Sequence, residues 1–198
     1  VTSQVFPTTS AGFDTALDEV YPYDPEAAKA LLAEAGYPDG FELSMPSLAA
    51  MGEAIFAIIA DSLAEIGVTV TFTEVAPAEF FEQILAPTFP AYLMFLEAST
   101  NEWQFINFLI SDTAVWNPSH YTDETSKDLI SQIQVASDAD RPALITELAT
   151  YVHEQAWFAP FYRKGTAFTT DAGNDVQTQT GNRCHSPEHS SRPARGRP

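Results

Sequence analysis

The chain has 198 residues, enough for one sizeable core that buries roughly two-thirds of its unfolded surface, and 45% of them are apolar and 12% aromatic. Nine basic residues against 27 acidic ones give a formal charge of −18, which argues against nucleic acid or an anionic membrane surface as partner, since both need a basic patch. The lone cysteine, Cys184, excludes an internal disulfide, no apolar run reaches the length of a membrane-crossing helix, and Val1 opens no export signal.

Residues 1–20 are rich in Ser and Thr, with Pro7 and Gly12, and read as an irregular lead-in. Asp24 is a helix cap followed by Pro25, whose missing N–H has no intrahelical partner to lose. Leu31, Leu32 and Ala35 group on one side of that helix, and Gly36 ends it. Tyr37-Pro38-Asp39-Gly40 makes a tight turn. Phe41, Leu43 and Met45 then alternate with polar residues as in a half-buried strand. After a small-residue loop over 47–52, Ile55, Ile58, Ile59, Leu63 and Ile66 share helical spacing until Gly67. Val68, Val70, Phe72 and Val75 alternate as a second strand, so 41–75 is a β-α-β unit with a crossover long enough for parallel pairing.

A short helix is expected between Pro77 and Leu85, and a buried third strand over Tyr92–Leu96. The stretch from Glu97 to His120 reads as a loop, a helix over 102–110 and a second loop. Asp123 or Thr122 caps a helix whose apolar face is Leu129, Ile130 and Ile133. Asp140 and Pro142 open another, carrying Leu144, Ile145, Leu148 and Val152. Trp157–Tyr162 and Ala167–Thr170 read as short strands. The order is that of an α/β layer. The last 16 residues hold four of the nine basic residues, one Glu, and nothing from Val, Ile, Leu, Phe, Met, Trp or Tyr. Such a composition builds no core, and the sign reversal at Arg183 reads as a cloning scar or shifted frame.

The run from Tyr21 to Phe41, YPYDPEAAKALLAEAGYPDGF, resembles a segment of the family 5 extracellular solute-binding proteins, the receptors of peptide, nickel and related ABC importers. Asp140-Arg141 and Ala159-Pro160-Phe161-Tyr162 continue the resemblance, which covers residues 1 to about 182. It implies a type II periplasmic-binding-protein-like α/β lobe with a mixed sheet and flanking helices, here the C-terminal lobe over 21–182, with the other lobe and the export signal upstream of Val1. It implies an extracellular or periplasmic receptor that closes two lobes over a peptide, sugar or other small organic solute, docks on importer membrane subunits as a monomer, and needs neither cofactor nor catalysis. Two other readings stay open: the effector-sensing domain of a transcriptional regulator, and a small hydrolase.

Ligands of open α/β sheets lie beyond the carboxyl ends of the strands, which puts the segment after the third strand toward the solute. The candidates are Leu96, Glu97, Ser99, Asn101, Glu102 and Trp103. In peptide-binding members a Trp, and three residues later an Asp that meets the ligand ammonium, follow that strand. Alignment on Phe89 places the pair at Leu96 and Ser99, and alignment on Asn107-Phe108-Leu109 places it at Ala98 and Asn101, so neither register restores the carboxylate. Glu97 or Glu102 substitutes only if the loop is reshaped, so the expected solute is one lacking a free N-terminal ammonium, such as a sugar, a blocked peptide or another organic molecule. Trp103 and Trp116 read as core residues ahead of site residues, and His153 as surface or boundary. His185 and His189 lack the setting of a metal site, and no phosphate loop, zinc spacing or nucleophile elbow occurs.

Overall fold

The structure, a computed structural model, describes residues 2–96, 101–160, 162 and 163. Helix α1, Pro25–Glu34, starts at Asp24, whose carboxylate accepts from Ala27 N–H at 2.9 Å. It ends as Tyr37 N–H donates to Leu32 O at 2.8 Å and Gly36 N–H to Ala33 O, with Gly36 at φ 92°. Gly40 N–H then closes the tight turn on Tyr37 O at 3.0 Å. Strand β1, Phe41–Ser47, pairs in parallel with β2, Val68–Glu74, in a register running from Phe41 opposite Val68 to Ser47 opposite Glu74.

The crossover between them is α2, Glu53–Ala64, preceded by a 3-10 turn at Ala49–Met51. Phe56 is its buried residue, and the Phe56 ring meets Phe72 of β2 edge-on at 5.0 Å. The expected stripe holds in part. Ile55, Ile59, Leu63 and Ile66 are half-buried, but Ile58 turns outward and is 63% exposed. A two-stranded sheet is too narrow to cover a helix face that wide.

Helix α3, Phe80–Leu85, follows as expected, and with Val75 it forms a small apolar cluster from Phe80 and Ile84. The expected third strand does not form: Tyr92–Leu96 joins no ladder among the described residues. Tyr92 and Met94 instead pack on the small cluster, and the Tyr92 hydroxyl donates to Trp116 O at 3.0 Å. Nor is the run buried as expected: Tyr92–Met94 are half-buried and Phe95 and Leu96 are exposed, because a continuous apolar run by itself fixes neither the backbone partner nor the cover of a segment.

The main core is helical. Helices α4, Glu102–Leu109, α5, Glu124–Val135, and α6, Arg141–Glu154, enclose Phe105, Ile106, Leu109, Leu129, Ile133, Ile145, Leu148 and Val152. Asp123, not Thr122, caps α5: its carboxylate accepts from Ser126 N–H at 2.8 Å while the Ser126 hydroxyl accepts from Asp123 N–H. Trp116 packs on both clusters and joins the sheet side to the helical side.

The lead-in, whose one regular element is a 3-10 turn at Thr15–Glu19, delivers Phe6 into the helical core at 1% exposure. Beside it His153 is buried, contrary to the boundary position expected for it. Its Nε2 lies 2.9 Å from Ser3 Oγ and its ring 4.8 Å from that of Tyr21, so one side of the imidazole is used to hold the lead-in. Among described residues, Trp157–Pro160, Tyr162 and Arg163 form no strand. Trp157 packs edge-on against Tyr121 at 4.9 Å, and Pro160 lacks the donor a ladder requires. Ala167–Thr170 and the segment from Arg183 lie outside the described residues. No helix among those described is long and apolar enough to cross a membrane.

Candidate functional site

Four of the six candidate residues are described, and they flank the entry to α4. Leu96 is 43% exposed, and Phe95 before it sets its ring edge-on to Tyr162 at 6.0 Å. Asn101 caps α4, its side-chain oxygen accepting from Gln104 N–H at 3.0 Å. Glu102 turns its Oε1 to the lead-in and accepts from Ser10 Oγ and Ala11 N–H, both at 2.6 Å. Trp103 is half-buried against the helical core, and its carbonyl accepts from Asn107 Nδ2 at 2.8 Å. Glu97, Ser99 and the Ala98 position of the second register lie outside the described residues.

The lead-in makes further contacts that sequence spacing did not reveal. Asp18 binds the start of the lead-in, accepting from Thr2 Oγ1 at 2.8 Å, Ser3 N–H at 3.0 Å and Gln4 Nε2 at 3.0 Å. Burial pushes the Asp18 carboxyl up, but the bonds from Gln4, Ser3 and Thr2 and the nearby Arg163 charge outweigh it and hold the group below its usual value. Arg163 itself donates to Thr2 Oγ1 at 2.9 Å and lies 5.0 Å from the centre of the Phe13 ring. A signal for this cluster was available in the Ser/Thr-rich lead-in with its carboxylates Asp14, Asp18 and Glu19, but such composition describes turns as readily as carboxylate partners.

Two hollows occur among the described residues. A small hollow of about 10 Å³ lies between Ser3, Phe6, Gly12, Ala149 and His153, room for no more than one water. An open groove of about 320 Å³ runs between α5 and α6, lined by Thr125, Leu129, Glu147, Thr150, Tyr151 and Glu154. None of the described candidate residues lines it. Among the described residues no group of three or more His, Cys, Asp or Glu is placed to hold a metal ion.

Residues 1–117 match the family model described as bacterial extracellular solute-binding proteins, family 5 middle. The chain belongs to that family. The fold of this family 5 chain is likewise that of periplasmic binding proteins. It superposes on DppA of Helicobacter pylori, solved with the peptide STSA, at a TM-score of 0.69 and 24% identity, over 77% of this chain and 31% of that one. AgaA of A. tumefaciens R10, solved with agropinic acid, gives a TM-score of 0.68 and 22% identity over 76% and 32% of the two chains. HbpA2 of Haemophilus parasuis gives 0.67 and 25% over 78% and 32%. The curated heme-binding protein A of Haemophilus influenzae is 78% identical over 27 residues, which is 13% of this chain and 5% of that protein. The family 5 chain thus spans about a third of the length of its structural relatives.

Proposed function

We propose that the chain is the C-terminal lobe of a solute receptor of an ABC importer, working outside the cytoplasm as a monomer. It captures a small organic solute by closing against a second lobe, without a cofactor and without covalent chemistry. The observation that carries this reading is the family match over residues 1–117. In support, the relatives solved with bound molecules hold a peptide in one case and agropinic acid in another.

The solute is met at the segment leading into α4, by the exposed Leu96 and by Asn101, Glu102 and Trp103 at the helix start. Glu97 and Ser99 join them on the sequence reading alone. Both registers put neutral residues where peptide-binding members carry the ammonium-binding carboxylate. An ammonium buried without a partner costs several kcal/mol, so the preferred solute lacks a free N-terminal ammonium: a sugar, a blocked peptide or an organic acid.

A thermal-shift panel on the longer protein tests this, using Ser-Thr-Ser-Ala, Met-Leu, their N-acetylated forms, agropinic acid and a hexose. At a hundred times the Kd a binding solute stabilises by about 2.7 kcal/mol, a shift of several degrees. Shifts with blocked or ammonium-free members are expected. Shifts with free peptides alone would overturn the solute preference, and no shift with any member would overturn the receptor reading. The 198-residue chain by itself should bind at least tenfold more weakly, because one lobe covers only part of a ligand that two would enclose.

A further inference from the structure

Glu102 reaches across 92 residues of sequence to Ser10 and across 91 to Ala11, and both donors converge on the same oxygen at 2.6 Å. Ser10 Oγ accepts in turn from Gly12 N–H at 3.0 Å. On the other side of the turn, Thr146 Oγ1 of α6 donates to Ala11 O at 2.7 Å. The 10–12 turn is thereby clamped between the first residue of α4 and the second turn of α6. It has little room to slide: a Cβ on Gly12 would stand 2.9 Å from the Phe6 ring and 3.0 Å from Ala149 Cβ. Short bonds to a charged acceptor hold geometry more firmly than neutral pairs. Asn101, one residue earlier, spends its side-chain oxygen on the α4 cap, so the backbone entering the helix is fixed from both directions.

We propose that Glu102 is a positioning residue: it locks the start of α4, with Asn101 and Trp103, to the lead-in, and a solute is met by its neighbours and not by its carboxylate. The solute half of this statement rests on the receptor reading above; the clamp does not.

Two readouts keep the halves apart. Amide exchange at Ala11 in the 198-residue chain, without solute, should be about tenfold faster in Glu102→Ala than in the wild type, with Glu102→Gln recovering most of the protection because its amide oxygen still accepts. Equal exchange in wild type and Glu102→Ala would overturn the clamp whatever the protein binds. Affinity is then measured in the longer protein for the panel member giving the largest thermal shift. Ser10→Ala and Glu102→Ala should each weaken it by about tenfold, the double variant no further than either, as for two ends of one contact. Glu102→Gln weakening affinity as much as Glu102→Ala while Ser10→Ala is silent would identify a direct solute contact and overturn the positioning role. If no panel member binds, the receptor reading falls and the exchange result alone judges the clamp.

Discussion

The Tyr151 hydroxyl of α6 donates to Asp123 Oδ2 at the cap of α5, joining two helices through one acidic oxygen. Burial raises the Asp123 carboxyl, but the bonds from Ser126 N–H and the Tyr151 and Ser126 hydroxyls prevail and hold it below its usual value. The same bond, with burial added, raises the Tyr151 hydroxyl. A carboxyl lowered in the fold contributes stability above its unfolded value, near pH 4, and loses it as pH falls through the folded one. A phenol raised in the fold contributes below its unfolded value, near pH 10, and loses it as pH rises through the folded one. Tyr151→Phe should therefore lower the urea midpoint at neutral pH, and the gap from the wild type should shrink toward both pH extremes. A gap that stays constant from pH 3 to pH 11 would show that the bond does not contribute. This pair was half legible: the sequence narrowed the α5 cap to Asp123 or Thr122, whereas Tyr151, 28 residues away, is found only when α6 lies against α5.

At the scale of elements, the β-α-β unit depends on a close backbone approach where both strands begin. A Cβ on Gly40, at φ 76°, would lie 1.9 Å from Gly67 O, an overlap that only a backbone shift relieves. Gly52 has a comparable φ of 90° but open space around its would-be Cβ. Gly52→Ala should cost about 1 kcal/mol for the left-handed backbone alone, and Gly40→Ala roughly 3 kcal/mol or more, because strain and overlap add. Chemical denaturation of the two variants checks this, and equal losses would show that the strands tolerate separation at that end. Periodicity revealed both strands, α2 and their parallel pairing, since alternation and helical spacing are local properties of the chain. It misplaced a third strand at Tyr92–Leu96, because an uninterrupted apolar run carries no information about what its backbone meets.

Across the whole molecule, Trp116 links the small cluster around Phe80 to the helical core, and Phe6 plugs that core from a segment with no regular strand or long helix. The ion pairs among described residues are three exposed pairs at helical spacing, Lys29 with Glu26, Lys127 with Glu124 and Arg141 with Asp138, each worth a few tenths of a kcal/mol. Stability is therefore carried by apolar burial and not by balancing the charge of −18. Residues 183–198 have no large apolar side chain to add to that burial. A chain ending at Asn182 should melt at the same temperature as the whole at 0.15 M salt. A midpoint lower by several degrees, equivalent to about 1 kcal/mol for a domain of this size, would show that the segment packs.

What the sequence by itself determined were the features written within a few residues of each other. These are the cap at Asp24, the Gly36 stop, the alternation of β1 and β2, and the family motif from Tyr21 to Phe41. Only the tertiary structure decided which distant groups share an atom or a cavity. It put Phe6 in the helical core, turned His153 inward to Ser3 and Tyr21, and committed Glu102 to Ser10 and Ala11. The reason is physical: helix and strand preferences arise from neighbours along the chain, whereas burial of an imidazole or the partner of a carboxylate depends on side chains that folding brings in from 90 residues or more away.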